Sequence, residues 1–122
     1  MAPCTLIVDD DATHGQMLVE GLQEAGWNAC AATGVNEALS CVNSGRHTLV
    51  VTDVRMDDGD GFDLLRAIRA QLRPVPVILM SSFGTGATPQ QALAAGAYAY
   101  LPKPFALDDL LSLVTRAHAR SS

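Results

Sequence analysis

The cysteines of this chain lack any framework spacing. Cys4, Cys30 and Cys41 are odd in number, form no CxxC and show no clustering with histidines, so neither a disulfide scaffold nor a zinc site is expected. Buried, inert thiols are the expectation. Basic residues are also scarce: 8 Lys and Arg against 13 Asp and Glu give a net charge of -5. Neutralising phosphates needs a basic face, so direct nucleic-acid binding is not expected. No apolar stretch approaches the ~20 residues that span a bilayer, and no charged segment leads into a long apolar one at the amino terminus. The expectation is a cytoplasmic protein with no membrane partner. His14, His47 and His118 lie far apart in sequence and read as surface or helix residues without a catalytic part. No GxGxxG follows Val8, which argues against a dinucleotide site. Repeats and low-complexity tracts are absent as well.

What is present is a regular alternation over 122 residues, the size of one domain, here taken as 1–122. Short β-rich runs fall at Thr5–Val8, Asn28–Ala32, Thr48–Thr52, Val75–Met80 and Tyr98–Leu101. Between and after them, apolar residues recur at helical spacing: Val35, Ala38, Leu39 and Val42; Leu64, Leu65, Ile68 and Leu72; Leu107, Leu110, Leu111 and Val114. A weaker helix between Ala12 and Ala25 turns Leu18, Leu22 and Ala25 inward, with Gly15 and Gly21 lowering its propensity. A further short helix is expected from about Thr88 to Ala95. Thr88 has the features of an N-cap, Pro89 suits the first helical position, and Gln91 completes a capping box. Gly84 and Gly86 should keep the preceding segment, Ser82 to Ala87, out of that helix. Gly26, Gly45 and Gly96 stand just past helical stripes, where a left-handed residue is wanted. Strand and helix alternating five times imply an α/β fold, a doubly wound, mainly parallel sheet covered on both faces.

Four runs end in polar chemistry. Leu6-Ile7-Val8 leads into Asp9-Asp10-Asp11, Leu49-Val50-Val51-Thr52 into Asp53, Val77-Ile78-Leu79-Met80 into Ser81, and Tyr100-Leu101-Pro102 into Lys103. In an open parallel sheet the carboxyl ends of the strands line one crevice. An acid pair, a lone acid, a hydroxyl and a lysine would meet there, as a phosphoryl-transfer site requires. Converging carboxylates repel one another, so such a site calls for a hard cation, magnesium above all.

Over its whole length the chain resembles the receiver domains of two-component response regulators. The resemblance rests on Asp9-Asp10, Asp53 through Met56 with Asp60-Gly61, Ser81, and Tyr100 through Phe105, all in register on one α/β repeat. It implies a single five-stranded parallel sheet with five helices, flavodoxin-like. It also implies a phosphorylation-activated switch in which Asp53 accepts a phosphoryl group from a sensor histidine kinase or phosphotransfer protein, with slow autodephosphorylation. By the same resemblance Asp9, Asp10, Asp53 and the backbone carbonyl of Arg55 hold Mg2+, Lys103 and Ser81 contact the phosphoryl oxygens, and Tyr100 is the switch residue coupled to Ser81. Such a chain is no enzyme beyond its own phosphorylation and dephosphorylation, and it acts on a downstream output domain or protein. The alternative is a magnesium-dependent phosphatase of the haloacid-dehalogenase type, which would carry a second acid two residues after its nucleophile, where this chain has Arg55.

Three departures from the family pattern stand out. Asp57-Asp58-Gly59 replaces a segment that usually opens with proline, which implies a freer loop, and the two acids either add charge beside the cation site or are simply solvated. Ser82 stands where a small apolar residue is usual. Ala106 replaces a frequent aspartate cap, with Asp108 and Asp109 in the first turn of the last helix as compensation. Ala97-Tyr98-Ala99 has no acid, which lowers the expectation of a dimer through the last two helices and last strand. The chain is either a stand-alone regulator or the receiver part of a longer one.

Overall fold

A computed structural model describes residues 2–72, 74–82 and 84–121. Five parallel strands form one sheet in the order β2-β1-β3-β6-β7: β1 (Cys4–Val8), β2 (Asn28–Ala32), β3 (Leu49–Asp53), β6 (Val77–Ser81) and β7 (Ala99–Pro102). A separate antiparallel pair, β4 (Arg55–Met56) and β5 (Gly59–Asp60), follows β3. The helices are α1 (Ala12–Glu24), α2 (Val35–Asn43), α3 (Gly61–Arg69), α4 (Pro89–Ala94) and α5 (Leu107–Ser121).

Side chains alternate across a strand, so each inner strand feeds two cores. Leu6, Val8, Val50, Val77 and Leu79 pack with α2, α3 and Ala92 of α4. Ile7, Leu49, Val51, Ile78 and Met80 pack with α1 and α5 through Leu18, Leu22, Leu110 and Val114. β3 and β6 are buried at every position, which is why they read as unbroken apolar runs. Each fully buried Leu, Ile or Val stabilises the fold by about 1.5–3 kcal/mol, so this double core holds the strand ends in fixed register.

Some expected details fail for local reasons. Leu72, expected inward, is 97% exposed. α3 ends at Arg69, because Pro74 and Pro76 demand extended chain ahead of β6. Ala25 is the exposed C-cap of α1 rather than a core residue. Gly21 does more than weaken α1: a Cβ there would sit 2.7 Å from Leu107 Cδ2, so the glycine lets α5 approach. Hairpin β4–β5 has no counterpart in the sequence pattern, since two-residue strands leave no periodicity to read.

The fourth helix begins where its cap dictates. Thr88 Oγ1 accepts from the Gln91 amide and Gln91 Oε1 accepts from the Thr88 amide, both at 3.1 Å. The helix is six residues long, with Ala95 as its C-cap and Gly96 at φ +102° beyond it. Gly26 and Gly45 are likewise left-handed, at φ +95° and +76°. Phe83, in the segment before this helix, lies outside the described residues.

Candidate functional site

The carboxyl ends of β1, β3, β6 and β7 bring their polar residues to one crevice. Asp9 follows β1 and is tied to the neighbouring strand by its amide, which donates to Ala32 O at 3.0 Å. Its carboxylate is 1% exposed. Oδ1 accepts from the Asp11 amide at 2.9 Å, while Oδ2 meets Lys103 Nζ at 3.1 Å and His14 Nδ1 at 2.6 Å. Asp11 caps α1, with Oδ1 accepting from the His14 amide at 3.1 Å. Asp10 stays exposed.

Asp53 ends β3, buried to 7% exposure, with Oδ2 2.9 Å from Lys103 Nζ and Oδ1 accepting from the Val54 amide at 3.1 Å. Lys103 is the only lysine in the chain. Its amide donates to Ser81 O at 2.7 Å, extending the β6–β7 pairing and fixing the ammonium between Asp9 and Asp53. Gly61 closes the floor: its amide donates to Val54 O at 2.7 Å, and a Cβ there would lie 2.3 Å from the Asp53 carbonyl oxygen.

Ser81 is buried at the end of β6, its hydroxyl 2.5 Å from Thr85 Oγ1 and 3.3 Å from Ser82 O. Tyr100 is half-buried and donates to Ala87 O at 3.3 Å. A cavity of about 480 Å³ adjoins these groups, lined among others by Ser81, Thr85, Thr88, Tyr100 and Lys103.

The electrostatics follow from burial and pairing. Burial is the strongest influence on Asp9 and raises it, yet the bonds from His14, the Asp11 amide and Lys103 together hold it below the usual carboxylate value. Burial raises Asp53; Lys103 opposes, and the charges of Asp9 and Asp10 add to the rise. Burial depresses Lys103 most, but its bonds to Asp53 and Asp9 leave it raised overall. One ammonium thus pairs with two of three carboxylates that each place an oxygen within 4.8 Å of the others. Asp9, Asp10 and Asp53 offer hard oxygen donors and excess negative charge, which suit magnesium.

Residues 5–115 match the response regulator receiver domain family. The chain belongs to that family. It is 39% identical over 93% of its length to the DNA-binding transcriptional regulator NtrC of Rhizobium meliloti, covering 24% of that protein. It is 34% identical to the swarming motility regulation protein RssB of Serratia marcescens, over 94% of this chain and 52% of RssB. The chain therefore spans about a quarter to a half of these relatives. Among solved structures it resembles the receiver domain of Francisella response regulator 1452, with TM-score 0.91, 31% identity, and 98% and 99% of the two chains covered. The beryllofluoride-activated NtrC4 receiver domain dimer matches with TM-score 0.88 and 29% identity over 98% of each chain. Receiver domains are phosphorylation-activated switches of two-component signalling and bind Mg2+ in an acidic pocket. The dehalogenase-type alternative finds no support, since position 55 is an exposed arginine and the relatives are response regulators. No helix among the described residues is long and apolar enough to cross a membrane.

Several residues carry more than their sequence signal. His14 is half-buried against Asp9 and contacts the Phe105 ring edge-on, rather than being an idle helix residue. The signal was available: with Asp11 as N-cap, His14 occupies N3, whose side chain folds back over the preceding chain. Asp58 neither joins the acid cluster nor is idle. Its carboxylate accepts from the Val35 and Asn36 amides at 2.8 and 3.1 Å, capping α2, where Gly34 has no side chain to offer. Those two bonds hold Asp58 below its ordinary pKa. Asp109 Oδ2 accepts from the Ala106 amide at 3.3 Å, a replacement for the missing cap aspartate.

Proposed function

We propose that Asp53 is the phosphoacceptor of this receiver, taking a phosphoryl group from a phosphohistidine on a sensor kinase or phosphotransfer protein. The observation that carries the reading is the Lys103 ammonium held 2.9 Å from Asp53 Oδ2 at the end of the central strand, beside Asp9. Asp9, Asp10, Asp53 and the Arg55 backbone carbonyl would hold Mg2+, which when bound neutralises developing charge on the phosphoryl oxygens. Everything else is positioning. The Asp53 carboxylate attacks in line, and the bond from phosphorus to the donor's nitrogen breaks as the new O–P bond forms. Lys103 moves from pairing with carboxylates to pairing with a phosphoryl oxygen, and the Ser81 hydroxyl leaves Thr85 to donate to another. Departure of Ser81 loosens the segment between Ser82 and Thr88, and Tyr100 turns from Ala87 O into the adjoining cavity. The altered surface of α4, β7 and α5 then signals to an output domain or protein. Water later cleaves the acyl phosphate, so the chain turns over nothing but itself. The net charge of -5 supports a reading without direct nucleic-acid contact, and a cytoplasmic location belongs to the same proposal.

The test is acetyl phosphate or a phosphohistidine donor with magnesium, followed by intact mass. One hydroxylamine-labile phosphoryl group per chain is expected, absent from Asp53→Asn and from protein treated with chelator. Labelling of Asp53→Asn at the wild-type rate rejects the assignment.

A further inference from the structure

The opposite end of the sheet holds a second donor set that the phosphoacceptor reading leaves unused. Cys4 opens β1, Cys30 lies in the middle of β2, and His47 stands in the connection from α2 to β3. Far apart in sequence, they each place a ligand atom within 4.8 Å of the others, contrary to the expectation that thiols and histidines do not cluster. All three are half-buried. They line an open cavity of about 470 Å³ together with Cys41 and Arg46.

The imidazole is already oriented. His47 Nδ1 lies 3.2 Å from the Cys41 carbonyl oxygen, which can only accept, so Nδ1 carries the hydrogen. Nε2 is then the bare nitrogen, and it sits 2.9 Å from Cys30 Sγ. An imidazole that donates one ring N–H to a carbonyl and turns the other nitrogen to a thiol has the outer-shell arrangement of a metal ligand. A disulfide does not explain the pair. Strand register sets Cys4 opposite Asn28 and Leu6 opposite Cys30. That diagonal offset separates the Cα atoms by about 8 Å, beyond the ~7 Å limit for a bridge. The same offset keeps both sulfurs on one face of the sheet.

We propose that Cys4, Cys30 and His47 form a binding site for a thiophilic divalent cation, best matched by zinc, with the fourth position open to water or Cys41. Two sulfurs and one nitrogen suit tetrahedral zinc, with bonds of about 2.3 and 2.0–2.1 Å, and drawing ligand atoms together from 4.8 Å requires only side-chain adjustment. Burial, with neighbouring Cys4 and Cys41, keeps the Cys30 thiol protonated up to about 11, and coordination removes that proton. Two thiolates neutralise the metal charge, so Arg46 nearby is no obstacle. Donor chemistry separates the two ends of the sheet: oxygens for magnesium at one, sulfur and nitrogen for zinc at the other. They are about 16 Å apart along β1. Bound zinc would join β1, β2 and the start of β3 at the end remote from Asp53.

The test uses the full chain, reduced and stripped of metal, titrated with Co2+ as a visible reporter and then with Zn2+. One equivalent of cobalt should give a sulfur-to-metal charge-transfer band and tetrahedral d–d bands, bleached by one equivalent of zinc. Cys30→Ser and His47→Gln should each weaken zinc binding by about a hundredfold, at least the top of the range for losing an outer-shell partner. Asp53→Asn should leave it unchanged. Circular dichroism establishes that all three variants are folded, and magnesium-supported phosphorylation does so independently for Cys30→Ser and His47→Gln. Absence of the sulfur band in the wild-type chain overturns the proposal whatever the variants do. Undiminished zinc affinity in folded Cys30→Ser or His47→Gln, or loss of the sulfur band in Asp53→Asn, does the same.

Discussion

Two glycine-bearing loops flank the acidic crevice, and they are held in different ways. The segment after β3, from Asp57 to Gly61, forms the end of a hairpin, bonds α2 through Asp58, and presses Gly61 against the backbone of Asp53. The segment after β6, from Ser82 to Thr88, has Gly84 and Gly86 in the left-handed region with nothing within 4 Å of either Cβ position. Among the described residues its ties are few and mostly within itself: Ser81 to Thr85, the Thr85 amide to Ser82 O, Thr85 to Ala87, Tyr100 to Ala87 O, and the cap at Thr88. Glycine content alone would rank both as loose. What separates them is whether glycine admits another chain segment or merely a backbone angle. One loop is thereby a fixed wall of the site, and the other is the segment that the proposed switch would move when Ser81 changes partner.

The largest effect is expected at the wall. Gly61→Ala places a methyl 2.3 Å from a backbone oxygen, which no side-chain rotation relieves. We expect a loss of about 3–4 kcal/mol in denaturant unfolding, the upper range for one substitution, together with slower phosphorylation of Asp53. A loss near zero would show that α3 slides freely over the site and that the wall is not fixed.

Next comes the ion that spans the crevice. Lys103→Ala leaves Asp9 and Asp53 facing each other, and without metal it should cost about 2–3 kcal/mol, below the ~3–5 kcal/mol for breaking a fully buried pair. Excess magnesium should restore part of this, because it binds only the folded state. The pH dependence has a definite sign. Lys103 titrates higher folded than unfolded, so its pairing stabilises fully below the ordinary value of 10.5 and is lost as pH rises through the folded value above it. Wild-type stability should therefore fall in that alkaline window, and Lys103→Ala should lack the fall. Equal alkaline slopes in the two proteins would deny the pairing.

The sequence carried most of this frame and part of the site. Five strands and five helices were legible because the inner strands are buried on both faces and the helices on one, each leaving its own period. Asp9, Asp53, Ser81 and Lys103 were legible because each ends or directly follows a strand of that sheet. Contacts that depend on where a side chain turns were not. Asp58 and Val35 are 23 residues apart, and no local pattern joins an acid in one turn to the amides of another helix. Cys30 and His47 meet only because the α2–β3 connection returns to the amino end of β2. His14 lies between these cases, since its place three residues after a capping aspartate could have been read.

Asp58 offers a smaller test of the same contrast. Asp58→Ala removes the cap from α2 without touching the crevice, so the melting temperature should fall and the Val35 and Asn36 amides should exchange several-fold faster. Magnesium affinity should stay as it was. A clear loss of magnesium affinity would return Asp58 to the cation site.

The smallest effect belongs to the loose side. Gly86 has φ +79° with open space around its Cβ position, so Gly86→Ala meets no neighbour and suffers only the left-handed conformation. That conformation costs about 1–2 kcal/mol for an L-residue, and a loop with so few ties can relax away part of it. We expect a loss of about 1 kcal/mol at most, with Asp53 phosphorylated at the wild-type rate. Backbone exchange at residues 84 to 88 should still respond to beryllofluoride, since in the proposed switch the response depends on the Ser81 hydroxyl leaving its contact with Thr85 rather than on either glycine. A destabilisation as large as that of Gly61→Ala would show that this loop is as fixed as the hairpin, and the distinction between wall and moving segment would fail.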